Sequence, residues 1–152
     1  MILKRTMAVA ATLPPLAAGL AACGISSPGQ SVNSKTVVIG APYPLSGTWA
    51  QNGINSLNGM KLAAQQINAA GGIKGFGGAK IDIVSADTSS DNPGQAKSVT
   101  TQLINSDHAV AIVGSYLSSL SLTSVVSAQR AKVPMITQSF VTQLTNSGYT
   151  YL

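Results

Sequence analysis

Hydroxyl side chains cluster in three short stretches of this sequence: Pro44-Leu45-Ser46-Gly47-Thr48, Ser115-Tyr116-Leu117-Ser118-Ser119 and Gln138-Ser139-Phe140-Val141-Thr142. None contains an acid or a base, so their chemistry is hydrogen bonding and not proton transfer. The second leads straight into a predicted helix. Hydroxyls and free backbone N–H groups at a helix N-terminus form a natural site for a carboxylate or a phosphate. The competing role is N-capping by Ser118 or Ser119, and one serine can do both. Catalytic alternatives find little support. His108, the single histidine, lies beside Asp107 just before a predicted strand and reads as a solvated loop residue. A serine triad lacks a base, and there is no G-x-S-x-G elbow. His, Cys and carboxylates are not clustered as a metal site needs. Gly71 to Gly78 is glycine-rich, but it follows a helix and precedes a strand, the reverse of a dinucleotide fingerprint. Asp87 and Asp91 bracket a polar loop, where turn and cap roles are the default. Tyr43 and Trp49 lie near the first hydroxyl stretch and could pack on an apolar ligand or sit on the surface.

The elements that position these stretches alternate. Thr36-Val37-Val38-Ile39-Gly40 is β-branched and continuous, as a strand buried on both faces should be. Pro42 to Gly53 reads as a loop. Ile54 to Ala70 reads as a helix, with Leu57, Met60, Ala64 and Ile67 on one stripe and Gly71-Gly72 at its end. Lys80 to Ala86 is a second strand. Asn92 caps a second helix with Pro93 at its first position, running to about Asn105 with Ala96, Val99 and Leu103 inward. Ala109 to Gly114 is a third strand and Ser118 to Ala131 a third helix, with Leu122, Val125 and Val126 inward. Val133 to Thr137 is a fourth strand, and Tyr149 can begin a fifth. This order predicts an α/β fold, a three-layer doubly wound parallel sheet with right-handed crossovers. Ligands bind such sheets outside the carboxyl ends of the strands, which is where the three hydroxyl stretches fall.

Composition narrows the class further. Lys4 and Arg5 precede an uncharged run from Met7 to Leu20 that is too short to span a bilayer and is interrupted by Pro14 and Pro15. The pattern is that of a secretory signal over residues 1–22. Cys23 is the only cysteine, so no internal disulfide is possible. Residues 24–34 are rich in Ser, Gly and Asn and read as a tether. Setting Lys4 and Arg5 aside, seven of the nine basic residues face four aspartates, with no glutamate. These charges are spread thinly, without the basic cluster that nucleic-acid binding requires. About 130 residues beyond the signal suffice for one domain with a core.

Two resemblances sharpen this reading. Leu20-Ala21-Ala22-Cys23 resembles the lipobox of bacterial lipoproteins, which implies lipidation of Cys23, anchoring to a membrane and exposure on its outer side. The segments IGAPYPLSG, NGMKLAAQQINAAGGIKG, DTSSDNPGQA, AIVGSYLSS and VPMIT with LTNSGY occur in order between Val38 and Tyr149. Together they resemble the branched-chain amino acid binding proteins of ABC transporters, which have the type I periplasmic binding protein fold. The resemblance implies a non-enzymatic binding protein without a cofactor, with an amino acid or small amide as ligand and a transporter permease as partner. It maps the carboxylate-binding serine onto Ser118. The small residue whose backbone meets the ligand falls on Ser139, and the threonine on Thr142, chosen over Val141 because it keeps a hydroxyl. Tyr116 and Asn52 fall where the family lines its side-chain pocket, and Ser46 of the first stretch completes the candidate set. The family is more than twice this length, so residues 35–152 correspond to its N-terminal lobe, stopping before the second. Two other readings of the same fold are a ligand-sensing receptor domain and an inactive fragment. A doubly wound enzyme would need an acid, a base or a nucleotide loop at the strand ends.

Overall fold

The β-branched run beginning at Thr36 forms β1 (Thr36–Tyr43), which pairs in parallel with the equally long β2 (Lys80–Asp87) over its full length. The computed structural model describes residues 35–151. The signal, the lipidation site at Cys23 and the tether expected over residues 1–34 lie outside the described residues. Three short strands, β3 (Ala111–Val113), β4 (Met135–Ile136) and β5 (Thr150–Tyr151), complete the sheet in the order β2-β1-β3-β4-β5, every pair parallel. The helices are α1 (Ala50–Ala69), α2 (Pro93–Asn105) and α3 (Ser118–Ala131). Strand order and right-handed crossovers put α1 on one face and α2 with α3 on the other, giving the expected doubly wound arrangement.

Alternation along the strands sorts the core into two clusters. Ala41 and Tyr43 face α1 and pack with Leu57. Ile112 and Met135 face the other helices and pack with Leu103, Val125, Ala128 and Leu144. Gly40 lies between β1's neighbours at close quarters: a β-carbon there would come 2.7 Å from Ile112 Cδ1. Ile136 and Tyr151 are register partners on the α1 side of the sheet, and both are exposed, because α1 covers only β1 and β2.

Several expectations need correction. Helix α1 begins at Ala50, four residues before Ile54, so Asn52 and Gly53 are helical and not in the loop. The reason is contact: Gly53 packs on loop one, where a β-carbon would lie 2.0 Å from the Pro44 carbonyl oxygen. Ile67 is 40% exposed despite its place on the apolar stripe, since α1 reaches past the sheet at that end. In α3, Leu122 is 40% exposed, while Leu120, Ser121, Ser124, Val125, Ser127 and Ala128 are buried. Small residues let α3 approach α2 closely, and their hydroxyls find partners there: Thr100 with Ser124, and Thr101 with Ser127 at 2.8 Å. In α2, Thr100 is buried while Val99 is only half-buried. Strands three and four are shorter than the apolar runs that announce them. Tyr43 is neither at a ligand surface nor on the exterior; it is 2% exposed in the core, and burial pushes its phenol pKa up.

Candidate functional site

The chain leaves β1 toward β2 on one side and β3 toward β4 on the other, so the loops after β1 and β3 part and leave a crevice at their carboxyl ends. Loop one, after β1, is held by the end of β2. Asp87 Oδ1 accepts from the amides of Leu45 and Ser89, each at 2.8 Å, and the Ser46 hydroxyl and amide also reach this carboxylate. Burial works to raise the Asp87 pKa, but the Ser46 hydroxyl and these amides outweigh it, and the carboxyl lies below its usual value. The Ser90 hydroxyl donates to the Ser46 carbonyl at 2.8 Å and accepts from the Trp49 amide at 2.9 Å. Ser46 is exposed, yet it is part of this anchor.

Helix α1 therefore starts at a fixed place and presents its first turns to the crevice. Asn52 Nδ2 donates to the Tyr116 phenolic oxygen at 3.1 Å, joining α1 to the loop after β3. The rings of Trp49 and Tyr116 lie with centroids 6.2 Å apart, tilted by 39°. One turn along α1, the Ser56 hydroxyl donates to Gln138 Oε1 at 3.0 Å, joining the helix to the loop after β4. Two residues beyond Tyr116, α3 begins at Ser118. Its N-cap is Leu117, and no side chain caps it, so N-capping, the competing role for Ser118 or Ser119, is not what the helix uses. Ser118 is half-buried at the first position of α3; the Leu120 and Ser121 amides there already donate to the Leu117 carbonyl, which leaves those of Ser118 and Ser119 as the ones a ligand could take.

Beneath the loops lies a buried hydroxyl network that sequence reasoning missed. The Ser121 hydroxyl lies within hydrogen-bonding distance of those of Thr137 and Ser139 and of the Ser115 carbonyl, and the three hydroxyl hydrogens are shared among these contacts. Thr137 Oγ1 lies 3.0 Å from the same carbonyl and accepts from the Ser139 amide at 3.3 Å. Ser139 is thus 3% exposed, with hydroxyl and amide both engaged. Among the described residues, every fully buried side-chain polar atom has a partner. Thr142 is exposed at the head of a 3-10 turn, Thr142–Ser147, which follows the 93% exposed Phe140. The structure thus brings Asn52 and Tyr116 into contact with Ser118 close by in the chain. It sets Ser139 below that edge and Ser46 in the loop-one anchor. Among the described residues no group of three His, Cys, Asp or Glu gathers as a metal site, and no helix is long and apolar enough to cross a membrane.

Parallel strands in this order, with helices on both faces and loops that part at the switch point, define a doubly wound α/β lobe. The family model described as Periplasmic binding protein matches residues 36–152, and the chain belongs to that family. It is 42% identical over 86 residues to an amino acid binding protein of Pseudomonas aeruginosa, covering 57% of this chain and 22% of that one. It is 33% identical over 117 residues to Leu/Ile/Val-binding protein homolog 8 of Brucella abortus, covering 76% of this chain and 28% of the relative. Among solved structures, the branched-chain amino acid transporter substrate binding protein LivJ of Streptococcus pneumoniae, in complex with isoleucine, superposes with a TM-score of 0.71. That match has 34% identity and covers 77% of this chain and 33% of the other. The chain spans a third or less of the length of each of these proteins. The relatives carry the names of amino acid and Leu/Ile/Val-binding proteins, and the structural neighbours include substrate- or solute-binding proteins in complex with isoleucine and, for one of Rhodopseudomonas palustris, with 4-hydroxybenzoate.

Proposed function

We propose that this chain is the N-terminal lobe of an extracytoplasmic substrate-binding protein that delivers an amino acid, of the branched-chain type or a related small amide, to an ABC transporter permease. The observation that carries this reading is the uncapped N-terminus of α3 at Ser118, set beside the Asn52–Tyr116 contact at the sheet's switch point. A carboxylate there would take the Ser118 hydroxyl and the first-turn N–H groups, with favourable charge from the helix dipole. Asn52 and Tyr116 would line the pocket for the rest of the solute. Thr142 and the backbone at Ser139 would contribute from the loop after β4, which requires Ser139 to exchange its amide bond to Thr137 for the ligand. Ser46 would act by holding loop one in place. No group at this edge calls for a cofactor.

Family membership supports export, and Leu20-Ala21-Ala22-Cys23 supports lipid attachment at Cys23 on the outer side of the cell membrane. The deciding experiment is calorimetry on the full-length protein from its own gene. Ser118→Ala should weaken amino acid binding by about 1–3 kcal/mol, the cost of a charged acceptor left unmet. Unchanged affinity would remove Ser118 from the site. For the anchor, Cys23→Ser should move the protein from the membrane fraction to the soluble one.

A further inference from the structure

The geometry points to a solute with an uncharged carboxamide at the end remote from its carboxylate, an amino acid of the glutamine or asparagine kind, read by Asn52 and Tyr116. This rests on the amino acid binding reading above and departs from its branched-chain form. The Asn52–Tyr116 bond at 3.1 Å uses one amide hydrogen and one phenolic lone pair. It leaves the phenolic hydrogen, the Asn52 carbonyl oxygen and a second amide hydrogen without a partner among the described residues. Both side chains are half-buried, and these remaining groups still reach solvent.

A bound solute would remove that solvent, since binding pockets bury roughly 70–90% of a small ligand. An aliphatic side chain pressed against the pair would leave a donor and an acceptor both unmet. A site built to hydrogen-bond rejects an analogue that lacks the matching group. A carboxamide meets both at once: its carbonyl oxygen accepts the Tyr116 hydrogen and its N–H donates to Asn52 Oδ1. Nothing at this wall favours a charged end. Trp49, Asn52, Ser56, Tyr116 and Gln138 are all neutral, and Gln138, bonded to Ser56 through Oε1, keeps its amide hydrogens for a further acceptor.

The test is calorimetry of the full-length protein against glutamine, asparagine, leucine, isoleucine and glutamate. Glutamine or asparagine should bind at least tenfold more tightly than leucine or isoleucine, and glutamate should bind more weakly than glutamine. Tyr116→Phe combined with Asn52→Leu keeps the ring beside Trp49 and should abolish or reverse the preference. Tighter binding of leucine or isoleucine by the unmodified protein would overturn this inference and leave the amino acid reading standing. Binding of no amino acid in the panel would overturn both. A folded double variant that still prefers the amides would show that other residues make the choice, and would also overturn it.

Discussion

Ser121 has no exposed surface, yet its hydroxyl bridges the end of β3, the end of β4 and the loop beyond. In a low-dielectric interior such a network fixes geometry, because every alternative arrangement leaves a polar group unmet. Ser121→Ala should lower stability by about 1 kcal/mol, the net worth of one such bond, measured by urea unfolding. Asp87 anchors loop one by a different means, a carboxylate held by amides and a hydroxyl. Its folded pKa is lowered, so the anchor contributes fully above the unfolded value, about 3.9, and is lost as pH falls through the folded value beneath it. Melting temperatures of the native chain and Asp87→Ala should therefore differ at neutral pH, and the gap should begin to close below about pH 3.9 and vanish beneath the lowered folded pKa. A constant gap across that range would deny the carboxylate its role.

The elements carry two opposing rules about small residues. Gly→Ala within a helix ordinarily stabilises by about 1 kcal/mol. At Gly53 the added carbon would sit 2.0 Å from the Pro44 carbonyl oxygen, so Gly53→Ala should destabilise instead, by about 1–3 kcal/mol, and displace Asn52. A rise in stability by thermal melting would show that α1 and loop one are less closely docked. Helix α2 follows its local signals: the Asn92 side chain accepts from the Gln95 amide at 3.0 Å, with Pro93 at the first position. Asn92→Ala should cost about 1 kcal/mol in chemical unfolding. The sheet edge is managed by a residue no pattern announced. Asn68 bonds both backbone groups of Ile81 on the outer side of β2, at 2.8 and 2.7 Å, which blunts an edge that could otherwise pair with another chain.

At the scale of the whole molecule, the proposed function gives the described lobe one wall of a cleft. The aligned part of this chain covers only 22%, 28% and 33% of the three proteins compared above. These 152 residues alone should therefore bind solute at millimolar concentration or not at all, because one wall cannot reach the burial that pockets require. Micromolar binding by titration calorimetry would contradict the division of labour between lobes. The exposed pair Ile136 and Tyr151 belongs to the same scale, an apolar stretch of sheet that α1 does not reach.

Period and punctuation in the chain sufficed for the α/β order, the bounds of α2 and α3, the Asn92 cap and the loops that meet at the strand ends. These are local properties: β-branched runs, three-and-four spacing and turn residues act on their own neighbours. The resemblance added the expectation that Asn52 and Tyr116 line one pocket, without pairing them. What only the tertiary structure decided is where sequence-distant groups meet. The Asn52–Tyr116 and Ser56–Gln138 bonds join residues 64 and 82 positions apart, and hydrophobicity carries no trace of them. The inward face of α3 escaped for a related reason. Serines read as polar until a second helix and two loops supply their partners, and then burial suits Ser121 and Ser124 while Leu122 is left outside.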